Sequence, residues 1–337
     1  EGFRVDWAPS EIDRLTLQGD YYYGDLGGKI RRHSFSPPGM FSQDFRGKAE
    51  GGNLLGRWTH DFSAESELSV QMYYDRTDRE FGIGAEIRDT FDLDWQHRFR
   101  LGERNEIVWG SGYRYSADEL TESEDFTSRD PSVGLQLASA FVQDEIALIP
   151  DRLHLIAGTK VEHNDFTGFE VQPSARIAWT PHERHTLWGA VSRAVRTPAR
   201  TQRDFAFYAE PPATLAPFPL PVLIPGTGNP DFDSEKVLAY EIGYRFKPHA
   251  RLSFDFAAFY NDYDDHYNVV TLQPEFRIAP SGEPYLLVPV TIDNGLFGET
   301  YGGEVSAAWQ PAEYWRLRAS YSFLRMNLHL KAPVLPV

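Results

Sequence analysis

The chain has 337 residues, and its 33 Lys and Arg against 49 Asp and Glu give a formal net charge of −16. Nucleic acid is not an expected partner, because phosphate recognition needs a positively charged face. The sequence contains no cysteine, which excludes disulfides, thiolate metal sites and a cysteine nucleophile. It also lacks a run of about 18 apolar residues, so no transmembrane helix is predicted, although this composition is equally compatible with a membrane β-barrel.

Apolar and polar residues alternate along several segments of the chain. From Phe91 onward the odd positions are mostly apolar, whereas from Asp92 onward the even positions are polar or charged. The same alternation recurs at 68–75, 251–260 and 315–323. A period of two residues is that of a β-strand with one apolar face. We therefore predict an all-β chain.

Short polar breaks alternate along the sequence with longer segments. The short breaks lie at 8–11, 60–63, 101–104, 149–151, 180–183, 247–249 and 310–312. The segments predicted as connections on the opposite side lie at 24–46, 76–85, 117–133, 164–168, 197–233 and 262–298, with a tail from about 326. Short turns on one side and mostly long loops on the other are typical of an antiparallel, up-and-down transmembrane β-barrel. Seven short turns imply about 14 strands, each of about 12 residues.

Tryptophan and tyrosine are distributed unevenly between the two ends of these strands. Trp7, Trp58, Trp179 and Trp309 lie beside short breaks, whereas tyrosines such as Tyr74 lie toward the longer segments. Amphipathic rings concentrate at both interfaces of a membrane. The pattern predicts two aromatic girdles.

Several short motifs then give the chain a resemblance to a known family. They are AFVQDE at 140–145, QPSAR at 172–176, AVSRAVRTP at 190–198, GNPDF at 228–232, YEIGY at 240–244, AFYNDY at 258–263 and YGGE at 301–304. In order and spacing, this set resembles the barrel of TonB-dependent outer-membrane receptors. The resemblance implies that some residues belong to motifs of the family and have a structural role. They are Pro198, Asn229, Pro230, Glu235, Glu241, Gly302, Gly303 and Glu304.

The resemblance implies a barrel of about 22 strands, of which residues 1–337 would cover about strands 4 to 17. The plug domain, the TonB-coupling box and the first and last strands would then lie outside this chain. The implied function is energy-coupled uptake of a scarce metal chelate, most often a ferric siderophore, across the outer membrane of a Gram-negative bacterium. The implied partners are the TonB complex, outer-membrane lipid and lipopolysaccharide, and the small chelate itself, without a resident cofactor or metal.

Two other functions stay open on the sequence alone. A passive porin or substrate-specific diffusion channel shares the strand pattern but has fewer strands and no plug. A soluble all-β enzyme would have strands without this alternation of short and long connections. The sequence offers no glycine-rich phosphate loop or nucleophile-elbow serine, so we expect no enzymatic activity.

Two arginines precede the segment 197–233, which the family register makes the seventh extracellular loop. Arg193 and Arg196 are three residues apart and therefore point to opposite faces of a strand. Such an arginine can bind a carboxylate or phosphate of a ligand. The alternative is a structural ion pair, for example with Glu235 or Glu241.

Aromatic residues begin the same segment. Phe205, Phe207 and Tyr208 precede a proline-rich run at 211–225, and proline lowers the entropy that a loop loses on closing. The rings are predicted either to stack on a flat ligand or to pack the loop against its neighbours.

A third group of candidates begins the segment 262–298, the eighth extracellular loop in the family register. The candidate ligand-binding residues are Tyr263, His266 and Tyr267, which alternate with Asp262, Asp264 and Asp265. The aspartates can bind a cation such as calcium, but the favoured interpretation is a solvated loop. His182 and His185 flank a short break, and there we expect solvated side chains and no metal site.

Overall fold

The computed structural model describes residues 1–35, 38–123, 125–208, 213–214, 220–279 and 282–331. The elements are β1 (Gly2–Trp7), β2 (Asp13–Phe35), β3 (Pro38–Ser63), β4 (Ser66–Glu80), β5 (Ala85–Leu101), β6 (Asn105–Thr121), β7 (Phe126–Ser128), β8 (Ser132–Ile149), β9 (Leu153–Asn164), β10 (Gly168–His182), β11 (His185–Arg196), α1 (Arg200–Arg203), β12 (Phe205–Tyr208), β13 (Ala213–Thr214), β14 (Pro221–Leu223), β15 (Pro225–Thr227), β16 (Glu235–His249), β17 (Leu252–Thr271), β18 (Glu275–Ile278), β19 (Pro284–Leu287), β20 (Val290–Ala312) and β21 (Trp315–Leu330). The chain is all-β, as the alternation predicts.

One antiparallel meander forms the body of the molecule. Fourteen strands follow one another in it, and the short elements β7, β12 and β15 join the same sheet from within the long connections, so that the sheet has 17 strands. The sequence prediction of about 14 strands is therefore too low, because three- and four-residue strands leave no alternation to detect. Within the described ranges, β1 and β21 are the edges of the meander and do not pair with each other.

All seven short turns are present, but four of them lie later than predicted. The observed turns at 64–65, 183–184, 250–251 and 313–314 each follow an irregularity in the strand register. Three of these irregularities enclose Pro181, Pro248 and Pro311. Proline cannot donate to the ladder, so it sits at a bulge and pairing resumes beyond it. At these three turns the proline therefore marks the bulge and not the turn, whereas Pro9 and Pro150 lie in the turns themselves.

Much of the sequence predicted as long connections is paired strand. β2 and β3 pair as far as Phe35 and Pro38, and β17 and β20 pair as far as Thr271 and Val290. β3 has 26 residues, about twice the predicted length. These arms satisfy their own backbone hydrogen bonds without an apolar face, so they continue beyond the alternating pattern. The predicted loops at 24–46, 76–85 and 262–298 are thus shortened to their tips.

The two faces of the sheet have opposite chemistry. We call the face of Phe91 the outer face and the face of Asp92 the inner face, since the first residue is 42% exposed and the second only 3%. Large exposed apolar side chains such as Ile242 and Trp309 cover the outer face, and buried polar residues such as Glu162 lie on the inner face. An apolar exterior around a polar interior is the arrangement of a transmembrane barrel. Among the described residues, no helix has the length and apolar character to span a membrane.

Aromatic side chains mark the two ends of the outer face. Trp7, Trp58, Trp179 and Trp309 are exposed beside the short turns. Tyr21, Tyr74, Tyr113, Tyr240 and Tyr260 are exposed farther from the short turns than these tryptophans. The short-turn end of such barrels is periplasmic and the other end is extracellular, so the tryptophans and tyrosines bound the apolar band.

We predict that Gly302→Ala destabilises the barrel by about 1–3 kcal/mol, the usual cost of overpacking. A Cβ at this position would lie 2.1 Å from the carbonyl oxygen of Phe323 and 2.7 Å from the Phe259 ring. Gly189→Ala is the matched control, because its nearest neighbour would be 3.6 Å away, and we expect a change within about 0.5 kcal/mol. The measurement is the temperature at which detergent-solubilised protein loses the gel mobility of the folded barrel. Equal midpoints for the two variants would contradict the packing argument.

Candidate ligand-binding site

A cavity of about 690 Å³ lies on the inner face, toward the extracellular ends of β5, β6 and β8. The segment 197–207, which contains α1 and the start of β12, forms one of its walls. Its polar wall includes Glu86, Arg88, Arg114, Ser116 and Asp118, and its aromatic wall consists of Phe81, Phe126, Phe166, Phe205 and Phe207. The volume is in the range of pockets for small molecules.

The strand register sets the polar wall. Arg88 on β5 lies opposite Asp118 on β6, and Asp92 lies opposite Arg114. Arg88 Nη2 donates to Asp118 Oδ2 at 3.2 Å, and Arg114 Nε donates to Asp92 Oδ2 at 2.7 Å. Because side chains alternate between faces, all four project from the inner face. The Nε atom of Arg88 is buried and has no hydrogen-bond partner within the described ranges.

Arg200 of α1 attaches the segment 197–207 to the barrel. Its guanidinium pairs with the Asp118 carboxylate, and both side chains are only 4% exposed. Arg200 also donates to Asp204 Oδ2 at 3.0 Å, to Ser128 Oγ at 3.2 Å and to the carbonyl oxygen of Asp130. Asp118 therefore accepts from two guanidinium groups, one on β5 and one on α1. Removing one partner of such a buried pair leaves an uncompensated charge.

Aromatic rings pack around this attachment. The Phe205 ring is 5.0 Å from that of Phe126 and almost perpendicular to it, and Arg200 lies 5.4 Å above the Phe205 ring. Phe205 is buried with Leu120, so its ring holds the loop against the barrel, which is the second of the two predicted roles. Phe207 also lines the cavity but is 44% exposed. The side chain of Tyr208 lies outside the described residues.

The structure gives Arg193 and Arg196 different partners. Arg196 pairs with Glu235, one of the two partners proposed from the sequence. Arg193 pairs with Glu170, at 3.5 Å, and donates to the carbonyl oxygen of Val171, so its partner is neither Glu235 nor Glu241. Both arginines join neighbouring strands, and neither lines the 690 Å³ cavity.

Four sequence-predicted residues meet at the base of the two long connections. The buried Glu235 carboxylate pairs with Arg196, lies 2.5 Å from His266 Nδ1 and accepts the backbone N–H of Tyr267 at 3.0 Å. Burial and the nearby Arg196 charge lower the pKa of His266. Tyr263 lies beside this cluster, with its ring centre 6.2 Å from that of His266.

The neighbouring aspartates form ion pairs with lysine. Asp265 accepts from Lys236 at 2.5 Å and from Lys331, and Lys331 also lies 2.6 Å from Asp264. Burial acts to raise the pKa of Asp265, but the two lysines outweigh it and lower the pKa. Across the described ranges, no group of three or more His, Cys, Asp and Glu side chains is arranged to hold a metal ion.

The two long connections are joined to each other. β14 pairs in parallel with β19, and β15 pairs in parallel with β20. Val222, Leu223 and Leu286 are buried between the connections. Asn229 Nδ2 donates to the carbonyl oxygen of Ile292 at 3.0 Å, which gives this motif residue a structural contact. Within the described ranges, the two connections therefore form one layer through β14 and β19.

The remaining motif residues lie in or beside strands. Pro198 is buried and lines the cavity, and Pro230 lies in the turn after Asn229. Glu241 is an exposed residue of β16. Gly302, Gly303 and Glu304 lie opposite Phe259, Ala258 and Ala257.

Sequence reasoning missed the three residues that organise the cavity: Arg88, Asp118 and Arg200. The even positions of β5 continue the polar stripe of Asp92 back to Arg88, so the alternation contained this signal. Arg200 lies four residues after Arg196, in a connection without periodicity, and no local pattern links it to Asp118.

A polar inner face, an apolar outer face and a cavity beneath joined extracellular connections define a membrane β-barrel of the receptor or transporter class. Residues 2–331 match the family model described as TonB dependent receptor-like, beta-barrel. The chain belongs to this family, whose barrels lie in the outer membrane of Gram-negative bacteria. No curated protein matches the sequence.

Solved structures share the fold at low sequence identity. The siderophore receptor PirA from Pseudomonas aeruginosa is 17% identical with a TM-score of 0.65, and the match covers 96% of this chain and 62% of that one. PirA from Acinetobacter baumannii is 14% identical with a TM-score of 0.68, covering 96% and 52%. A mutant ferric enterobactin receptor PfeA from Pseudomonas aeruginosa, in complex with enterobactin, is 14% identical with a TM-score of 0.66, covering 95% and 50%. The chain thus spans between half and two thirds of these relatives.

We predict that Arg200→Ala loosens the segment 200–208, including the short pairing of β12 with β7, while the long strands of the meander stay paired. Breaking a buried ion pair costs about 3–5 kcal/mol, which exceeds the stability expected of a single loop. Hydrogen exchange of two backbone amides measures the loosening of the segment directly. The amide of Asp204 donates to the carbonyl of Arg200, and the amide of Gly228 donates to the carbonyl of Phe205. Arg245→Ala removes an exposed pair with Asp255 and is the control. Unchanged protection in Arg200→Ala would show that the pair does not hold the loop.

We also predict that acid loosens the same segment through Asp204. Burial acts to raise the pKa of Asp204, but hydrogen bonds from Ser128, the Arg129 backbone and Arg200 outweigh it and lower the pKa. A lowered pKa stabilises the folded loop above the unfolded value of about 3.9, and this contribution is lost as the pH falls through the folded pKa. Protease nicking at 200–208 should therefore increase at pH values below about 3.9. This increase at low pH should be absent in Asp204→Asn. An identical acid step in Asp204→Asn would exclude this carboxylate as its origin.

Proposed function

We propose that this chain is the ligand-binding barrel portion of a TonB-dependent receptor that takes up a scarce metal chelate of the ferric siderophore class. The observation that carries the proposal is the 690 Å³ cavity beneath an extracellular connection. Its aromatic walls suit a chelate with planar rings, and Arg88 and Arg114, which both line the cavity, carry guanidinium groups that suit an anionic oxygen. The metal would enter as part of the cargo and not as a resident cofactor.

The joined connections supply the rest of the proposed site. Because parallel pairing links β14 to β19, displacement of β14 by a ligand would also displace β19 of the second connection. Phe207, Tyr208, Tyr263, His266 and Tyr267 belong to these connections or their bases, and we propose that they contact the chelate when the layer closes. Arg193 and Arg196 would support the layer through their ion pairs.

The proposed partners follow from the family. A plug outside residues 1–337 would close the barrel, and its coupling box would bind the TonB complex. The polar inner face would contact that plug, and the exposed extracellular rim would face lipopolysaccharide. The solved relatives are longer than this chain, which supports the existence of further segments.

The test is iron uptake by cells that carry or lack the full-length gene, grown under iron limitation with ferric tricatecholate or ferric trihydroxamate as probes. We expect the deletion to raise the iron requirement and a tonB deletion to have the same effect. Arg88→Gln should weaken binding of the transported probe roughly tenfold or more, the loss expected for a charge-assisted hydrogen bond. Arg245→Gln, an exposed residue outside the cavity lining, is the control. An unchanged iron requirement would overturn the siderophore proposal, and uptake without TonB would indicate a passive channel.

A further inference from the structure

The outer face carries an apolar groove of about 500 Å³ across β1 to β4, near the short-turn end. Two rows of cross-strand neighbours form it. The first row consists of Trp7, Leu15, Trp58 and Val70. The second row, one step farther from the turns, consists of Val5, Leu17, Gly56 and Met72.

Gly56 gives the groove its depth. It is the only position of the second row without a side chain, and a Cβ placed there would approach nothing closer than Met72 Cγ, at 3.9 Å. Most glycines of this sheet are instead crowded by neighbouring backbone or rings, as at Gly110 and Gly302. The protein therefore leaves this space open to whatever surrounds the barrel.

A carboxylate lies at the short-turn end of the groove. Asp13 is the residue of β2 that precedes Leu15 on the same face and lies opposite His60. Asp13 accepts from Ser10 Oγ at 2.8 Å and from the indole N–H of Trp58 at 3.0 Å, and His60 Nδ1 is 2.8 Å away. Hydrogen bonds to the charged form favour an ionised carboxylate.

Charge and length limit what can occupy the groove. Residues 5–13 contain no Lys or Arg, and Arg57, which also lines the groove, donates to Gln71 at 2.9 Å. The carboxylate of Asp13 at the short-turn end therefore favours a cation over an anion.

The four-residue step from Asp13 to Leu17 spans about 13 Å along a strand. At the tilt of about 45° of a transmembrane strand, this step covers about 9 Å of depth, which lies within the roughly 15 Å of one leaflet of the hydrocarbon core. Trp7 and Trp58 mark the level of the lipid headgroups. An occupant that complements the groove therefore has an apolar chain that extends into this leaflet and a cationic group beside Asp13.

We propose that this groove is a binding site for one glycerophospholipid of the periplasmic leaflet, with an acyl chain over Gly56 and the ammonium of an ethanolamine headgroup on Asp13. Short turns lie on the periplasmic side of outer-membrane barrels, which places Asp13 at that surface. The site is separate from the extracellular cavity, so it does not depend on which chelate is transported.

The test is native mass spectrometry of the full-length protein purified in detergent with a mixture of phosphatidylethanolamine and phosphatidylglycerol. We expect the wild-type protein to retain one lipid molecule, and to retain phosphatidylethanolamine about five times more often than phosphatidylglycerol. A fivefold ratio is near the upper limit of what a partly exposed ion pair contributes to binding. Gly56→Phe fills the groove and should abolish this retention. Asp13→Asn should keep a bound lipid and lose the headgroup preference.

Gly189→Phe is the matched control. Gly189 also lies on the outer face in an apolar notch beside a tryptophan, Trp179, with no contact closer than 3.6 Å. We expect this variant to retain phosphatidylethanolamine as the wild type does. Heat-dependent gel mobility shows whether each variant is folded, and Gly56→Leu replaces Gly56→Phe if the latter does not fold. Equal lipid retention in wild type and the Gly56 variant, or no preference for ethanolamine in the wild type, would overturn the proposal.

Discussion

The constraint on which this structure depends is the pairing of every backbone N–H and C=O within a hydrocarbon layer. A sheet satisfies it only by continuous ladders, and the meander from β1 to β21 supplies them strand by strand. The ladder also fixes the chemistry of the two faces, because neighbouring residues project to opposite sides. Phe91 can face lipid only if Asp92 faces the interior. The polar inner face is thus a direct consequence of the apolar outer one.

The same ladder positions the extracellular cavity. Arg88 meets Asp118 because the β5–β6 register sets them opposite each other, and Arg200 then reaches the same carboxylate from the connection above. The segment 197–207 is held by several contacts: the Arg200–Asp118 ion pair, the Phe205–Phe126 ring contact and the pairing of β12 with β7. Farther along the same connection, β15 pairs with the barrel strand β20, and β14 pairs with β19 of the second long connection. The architecture therefore attaches the extracellular cover of the cavity to the barrel wall at several points.

The alternation and the short polar breaks were sufficient to predict the fold class, the number of short turns and the tryptophans beside them, although four of the turns lie later than predicted. The alternation failed where the membrane no longer selects apolar residues: the extended arms of β2, β3, β17 and β20 pair without an apolar face. For the site, Arg196, Glu235, His266 and Tyr267 were singled out separately, and the structure brings them together. Arg200 and Asp118 are 82 residues apart, and only the three-dimensional path of the connection makes them neighbours.

The most direct test of this account is the labelling of single cysteines in intact cells, which the cysteine-free chain allows. Phe207→Cys places a thiol at the extracellular cavity, and Tyr314→Cys places one at a short turn, where the native side chain is 87% exposed. An impermeant maleimide should label the first and not the second, and the transported ferric chelate should protect the first. Labelling of Tyr314→Cys from outside, or no protection of Phe207→Cys, would contradict the proposed orientation and binding site.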